Sequence, residues 1–193
     1  MELTLSFSLL PWQPEWAAAA AQYANCREIA DFLRDGFPFP YTTQDAEAYI
    51  RDCMEKEERQ LCRAIVVDGI AVGSVGVFPG ADVYRRSAEV GYWLGKPYWG
   101  HGIMTEAIGR ICREAFVRFD VVRLYAEPFA ENTGSRRILE KNGFQLEGIL
   151  RQSVCKNGRM QDSCMYARLQ SSEAINAKKK GLHDEREFDS EIQ

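Results

Sequence analysis

Three places in this 193-residue chain combine side-chain type and spacing in ways that could do chemistry. In Tyr98-Trp99-Gly100-His101-Gly102-Ile103-Met104, two closely spaced glycines precede a run whose apolar residues recur at helical spacing. Glycine lets a backbone approach a ligand closely, and the unpaired N–H groups and positive dipole end of a starting helix favour an anion, so this stretch could cradle a pyrophosphate. The plainer reading is a tight strand-to-helix turn. Glu89 places a carboxylate inside the mostly apolar stretch Ser87-Ala88-Glu89-Val90-Gly91-Tyr92-Trp93-Leu94, where it could accept a proton directly or through water. Its structural alternative is solvent exposure or an ion pair with Arg85 or Arg86. Ser135 offers a hydroxyl able to support a developing negative charge, yet Asn132-Thr133-Gly134-Ser135 also has the composition of a helix cap.

The elements that must position these residues follow from periodicity. Residues 87–94 read as a strand, and Ile103, Ala107, Ile108, Ile111, Cys112, Ala115, Phe116 and Phe119 define the buried stripe of a long helix after it. An apolar strand over Val121 to Glu127 leads to a shorter helix that ends at Asn142-Gly143, with Gly143 as its cap. Upstream, Leu3 to Leu10 suits a strand and Trp16 to Tyr23 an alanine-rich helix. Phe37-Pro38-Phe39-Pro40-Tyr41 forms a stiff aromatic loop before a helix opened by Thr42 and Asp45, with Tyr49, Ile50, Cys53 and Met54 on its apolar side. The loop either lines a cleft or covers the core. Asp68-Gly69 joins strands Leu61 to Val67 and Ile70 to Phe78, and Asn157-Gly158 joins Gln145 to Lys156 with Met160 to Arg168; both are hairpin signals.

The length and a hydrophobic content of 46% fit one domain over 1–169, followed by a polar, charged tail over 170–193 that carries Lys178-Lys179-Lys180 and His183. A mobile tail and a short terminal helix are both open readings of it. Twenty-four Lys and Arg against 28 Asp and Glu give a net charge of -4, without the broad basic field of a nonspecific nucleic-acid binder. Cys26, Cys53, Cys62, Cys112, Cys155 and Cys164 show neither metal-ligand nor dense disulfide spacing, so reduced, mostly buried thiols in a cytoplasmic protein are expected. No metal site, secretory signal or membrane span is expected.

In combination, the glycine segment, the block Asn132 to Phe144, the closing hairpin Asn157-Gly158-Arg159-Met160-Gln161-Asp162 and the early Phe39-Pro40-Tyr41-Thr42 resemble the GCN5-related N-acetyltransferases. The resemblance is strongest to the branch that acetylates ribosomal-protein N termini, and it covers about residues 8–169. It implies an α/β fold with a mixed, mostly antiparallel central sheet flanked by helices. Two neighbouring parallel strands of that sheet splay apart to admit the pantetheine arm of acetyl-coenzyme A. It further implies direct attack of an amine on the thioester, with main-chain groups of Val90, Gly91, Tyr92, Trp93 and Leu94 holding the cofactor and polarising its carbonyl. Trp99, Gly100, His101, Gly102, Ile103 and Met104 would contact the pyrophosphate, Asn132 the pantetheine, and Arg136 and Arg137 the nucleotide phosphates.

Glu89 is the candidate base and Ser135 the candidate aid to the sulfur leaving group. The wider family more often uses a tyrosine as acid, which leaves Tyr92, Tyr125 and Tyr166 open. Phe37, Phe39, Tyr41 and Asp162 are the acceptor-side candidates. The chain departs from the pattern at Trp99 and Met104 in the loop, and at Val154, where the ribosomal branch has its basic carboxylate. Met104 either crowds the cradle or anchors the helix in the core. The expected acceptor is a peptide or ribosomal-protein N-terminal amine; a small amine such as a polyamine or aminoglycoside, or a noncatalytic acyl-coenzyme A sensor, are the alternatives. A homodimer is also in keeping with the resemblance.

Overall fold

The computed structural model describes residues 5–171. The charged tail from residue 172 onward, including the lysine triplet and His183, lies outside the described residues, as does the beginning of the strand expected from Leu3. Seven strands form one sheet in the order β1-β2-β3-β4-β5-β7-β6. They are β1 (Ser8–Leu10), β2 (Leu61–Val67), β3 (Ile70–Pro79), β4 (Ser87–Leu94), β5 (Arg123–Ala126), β6 (Gln145–Lys156) and β7 (Arg159–Leu169). Every neighbouring pair is antiparallel except β4 with β5. That single parallel pair follows from its connection: a helix must carry the chain back before β5 can run in the direction of β4.

The helices are α1 (Ala17–Ala24), α2 (Arg27–Ala30), α3 (Thr43–Glu55), α4 (Ile103–Arg118) and α5 (Thr133–Lys141). They cover both faces of the sheet. Along β2 the side chains alternate between two cores: Leu61, Ile65 and Val67 pack with Ile103, Ala107, Ile108 and Ile111 of α4, whereas Cys62, Ala64 and Val66 pack with Ala20, Ala24, Ile50 and Cys53 of α1 and α3. Burial on both faces explains why β2 reads as a continuous apolar run. Arg63 is the exception within it. Its guanidinium reaches the edge of the core and binds Glu57 and Glu114 at 2.9 and 3.0 Å.

Local chemistry sets the boundaries. Asp68 and Gly69 both take positive φ, 49° and 80°, as do Asn157 and Gly158 at 51° and 74°, which gives each two-residue hairpin the twist of its flanking strands. Thr42 and Asp45 cap α3 reciprocally, the Asp45 N–H donating to Thr42 Oγ1 and the Thr42 N–H to Asp45 Oδ2. Gly143, at φ 77°, ends α5: its N–H donates to the Glu140 carbonyl and that of Phe144 to the Leu139 carbonyl. Met54 departs from expectation. It sits in the last turn of α3 and is 49% exposed, because Ala46, Ile50 and Cys53 already fill the face that meets the core.

Candidate active site

β4 and β5 separate where chemistry is needed. Their pairing covers Ser87 with Arg123, Ala88 with Leu124 and Glu89 with Tyr125, and then stops, although β4 continues to Leu94. The β5-facing edge of Val90 to Leu94 therefore lacks a strand partner, as expected for a fork that admits an extended ligand. A cleft of about 670 Å³ opens beside it, with Glu89, Val90, Gly91, Tyr92 and Trp93 on one wall and Ala126, Glu127, Phe129, Asn132 and Ser135 on another. Leu94 lies in the core.

Phe37 and Tyr41 close the cleft from the aromatic loop, their ring centroids 4.7 Å apart, and Phe37 meets Trp93 edge-on at 6.0 Å. The Tyr41 N–H donates to Asn25 Oδ1 at 3.0 Å, fixing the loop against the end of α1. Phe39 takes no part in this wall: it is 45% exposed, with the Arg27 guanidinium 5.3 Å from its ring centroid. Asp162 is also outside the cleft. Its Oδ1 accepts from the Gln152 N–H at 2.8 Å, securing an irregularity in β6 where Gln152 has φ 50°.

At the start of α4, Gly100 and Gly102 have φ of 80° and 76°, and a Cβ added to either would meet nothing within 4 Å. Their surroundings thus leave room for a ligand, and the first-turn N–H groups of a sixteen-residue helix point toward it. Trp99, Gly100, His101 and Gly102 are exposed, whereas Ile103 and Met104 are buried in the core. Met104 thus anchors the helix and does not crowd the turn. Trp99 Nε1 donates to the Leu94 carbonyl at 2.7 Å, tying the loop to the end of β4. The residues present fit a pyrophosphate at this turn.

The polar groups around the fork are strongly organised. The Tyr92 and Ser135 hydroxyls lie 2.7 Å apart, and burial pushes the Tyr92 phenol up to about 12 against the opposing hydrogen bond from Ser135. Asn132 Oδ1 accepts from the Ser135 N–H at 3.0 Å and caps α5, so this block both caps a helix and faces the cleft. Tyr166 is fully buried and donates to Glu140. Arg136 donates Nε to Tyr166 and Nη1 to the Ala130 carbonyl, while Arg137 is exposed.

Glu89 is paired, but with neither Arg85 nor Arg86. Those two donate to the Asp82 carbonyl and to Asp120, and Arg34, 55 residues before Glu89 in the chain, reaches both of its oxygens at 2.5 and 3.2 Å. The hydrogen bond to Glu89 raises the Arg34 guanidinium above its ordinary value. A second carboxylate, Glu127, stands in the same cleft and accepts from the buried Ser163 hydroxyl at 2.6 Å. Sequence reasoning passed over Arg34 and Glu127, although Glu127 directly follows the apolar strand β5 much as Glu89 lies within the apolar strand β4. Beyond Arg34 and Glu127 a smaller cavity of about 280 Å³ continues between Leu33 and the β6 residues Ser153, Val154, Cys155 and Lys156.

All six cysteines are free thiols; Cys53, Cys62, Cys112 and Cys164 are buried, Cys26 is half-buried and Cys155 exposed. Among the described residues no cluster of His, Cys, Asp or Glu could hold a metal, and no helix is long and apolar enough to cross a membrane.

Residues 7–145 match the family described as "Acetyltransferase (GNAT) domain". The uncharacterized N-acetyltransferase p20 of Bacillus licheniformis is 34% identical over 169 residues, spanning 86% of this chain and 94% of that protein. The uncharacterized N-acetyltransferase YoaA of Bacillus subtilis strain 168 is 35% identical over 96 residues; that match spans 50% of this chain and about half, 54%, of YoaA. Among solved structures, RimL, a ribosomal L7/L12 alpha-N-protein acetyltransferase in complex with coenzyme A, superposes with a TM-score of 0.76 at 20% identity, covering 85% of this chain and 94% of that one.

Proposed function

The chain belongs to the GNAT acetyltransferase family, and from that premise we propose that it transfers the acetyl group of acetyl-coenzyme A to the alpha-amine of an exposed peptide N terminus. The parting of β4 and β5 after Glu89 and Tyr125 carries this reading, because it presents unpaired main-chain groups to an extended arm directly beside an aromatic cleft. The glycine turn at 100 and 102 supplies anion-binding donors at the end of the same strand–helix unit. Acetyl-coenzyme A, when bound, brings an acyl group on a thiol leaving group, and the chain's own residues supply position, polarity and proton traffic.

Main-chain N–H groups along Val90 to Leu94 orient and polarise the acyl carbonyl. Asn132 holds the arm from the opposite wall. The Tyr92–Ser135 pair serves the departing sulfur: Tyr92, with its phenol held at about 12, stays protonated at neutral pH and can donate. Of the four carboxylates lining the cleft, Asp45 caps α3 and Asp52 pairs with Lys56, which leaves Glu89 and Glu127 beside the fork to take a proton from the incoming ammonium. The free thiols suit a reducing, cytoplasmic setting.

The peptide reading is supported by the second cavity. A small amine would need only the larger cleft, whereas an extended chain entering with its amine at the fork has room to continue past Arg34 toward Lys156. RimL, described as an alpha-N-protein acetyltransferase, has the same overall fold. The test is to incubate the purified protein with acetyl-coenzyme A and parallel libraries of peptide N termini, polyamines and aminoglycosides, and to locate added acetyl groups by mass. Acetylation at peptide alpha-amines is expected. Turnover confined to one small-amine class overturns the peptide reading, and tight cofactor binding without any turnover favours a sensor.

A further inference from the structure

Three hydroxyl contacts lead away from Glu127 through the protein. Ser163 Oγ donates to Glu127 Oε1 at 2.6 Å, lies 2.7 Å from Ser153 Oγ, and is completely buried; Ser153 Oγ in turn lies 3.0 Å from the Leu150 carbonyl and is exposed at the irregular stretch of β6. Each hydroxyl carries one proton, so the two serines can fill only two of these three contacts. A proton on Glu127 fills the third. The chain then runs one way, from the Glu127 carboxyl to Ser163, from Ser163 to Ser153, and from Ser153 to the Leu150 carbonyl. With Glu127 ionised, Ser163 reverses and donates to it. Both charge states of Glu127 are therefore accommodated by hydroxyl rotation alone.

The geometry points to Glu127 as the catalytic residue that takes the acceptor's proton, with Ser163 and Ser153 as positioning residues that pass it to solvent behind the cleft. The inference rests on the acetyl-transfer reading and deepens it. Glu89, the other candidate, has both oxygens occupied by Arg34, whereas Glu127 is anchored through one oxygen by a buried donor and keeps the other for the ammonium. The protons balance. The ammonium gives one proton to Glu127; the neutral amine forms its bond to the acyl carbon as the carbon–sulfur bond breaks; the nitrogen's surplus proton leaves with the sulfur as a thiol. Glu127 hands its proton to Ser163 while Ser163 hands its own to Ser153, which releases one to water. One proton per turnover reaches bulk solvent.

The charged and titratable groups around Glu127 are Arg34, Glu89 and Tyr125 at the fork, with Lys156 paired to Asp35 across the smaller cavity. Glu127→Gln is expected to lower kcat about 100-fold near neutral pH, with the KM for acetyl-coenzyme A unchanged. That deficit should shrink toward pH 10, because more of the amine then arrives neutral. Ser163→Ala should lose about tenfold with the same pH trend, and Ser153→Thr should restore what Ser153→Ala loses. The assay uses whichever amine the native protein acetylates, so a small-amine preference removes the peptide reading and leaves this test intact.

A second readout needs no turnover. In protein labelled with carboxyl-13C glutamate, the Glu127 resonance, assigned by its disappearance in Glu127→Gln, should move in Ser153→Ala although Ser153 touches it only through Ser163. An unmoved resonance overturns the relay. So does an equal loss of kcat at every pH, a pH-dependent deficit confined to Glu89→Gln, or a native protein that acetylates no amine.

Discussion

At the residue scale, one short block at the fork both caps a helix and faces the cleft. Ser135 lies in the first turn of the helix that Asn132 caps, and its hydroxyl touches a buried phenol that faces the same cleft. Burial holds Tyr92 up to about 12, so its proton is present throughout the working range and is lost only as pH rises toward that value. Tyr92→Phe should therefore lower kcat by about 100-fold, the scale of a positioned proton donor, while leaving any alkaline fall below pH 10 in place. On the proposed roles, Ser135→Ala should cost less, about tenfold, since the Tyr92 phenol remains as a donor. Steady-state kinetics across pH check both. A Tyr92→Phe variant that turns over normally would return this pair to a structural role.

Arg63 is the residue-scale counterpart in the core. Its side chain is only 10% exposed and serves Glu57 and Glu114, which are 36% and 43% exposed. Arg63→Ala removes the charge that both carboxylates share, but water can reach them, so the cost should be about 2 kcal/mol, less than for a fully buried pair. Chemical denaturation should show this as a lower midpoint. Acetyl-coenzyme A affinity should not change, because Arg63 lies on β2, away from the fork.

At the element scale, the start of α4 separates strain from ligand contact. Gly102 and Gly143 have nearly the same left-handed φ, 76° and 77°, and a Cβ at either meets open space. Alanine at either position should then cost a similar amount of stability, about 1 kcal/mol. Only Gly102 adjoins the turn that fits a pyrophosphate, so Gly102→Ala alone should weaken acetyl-coenzyme A binding, by about tenfold in Kd, as measured calorimetrically. Equal affinities in the two variants would count against the cradle. This contrast also marks what the sequence made legible. Both Gly102 and Gly143 announce local backbone needs, as do Asp68-Gly69 and Asn157-Gly158, and the structure places all four where their neighbours' periodicity implied. Arg34 with Glu89 and Ser163 with Glu127 were not legible, because the partners are 55 and 36 residues apart in the chain and meet only once the loop after α2 packs on β4 and β7 lies beside β5. Met104 shows the intermediate case: its position at a helix start was readable, but whether it faced ligand or core depended on which side of α4 met the sheet.

At the scale of the whole molecule, the sheet is two halves with a narrow join. One half runs β1-β2-β3-β4 and the other β5-β7-β6, and the strand pairing between them is limited to three residue pairs, from Ser87–Arg123 to Glu89–Tyr125, extended by the Val122 N–H donating to the Arg86 carbonyl. An arm lying in the fork would bridge the halves where strand pairing cannot. Binding to the folded state alone should then stabilise the protein by about 2.7 kcal/mol when acetyl-coenzyme A is present at 100 times its Kd. Local opening at the join should also become rarer, because the bridging ligand must leave before the halves separate. Thermal unfolding should thus shift upward with acetyl-coenzyme A, and hydrogen exchange should slow together in β4 beyond Glu89 and in β5, on both sides of the fork. Protection confined to the turn at Gly100 and Gly102, with β5 unchanged, would mean that the nucleotide end binds while the arm stays out of the fork. The proposed acyl position beside Val90 to Leu94 would then be lost, even though the family fold and the cradle stood.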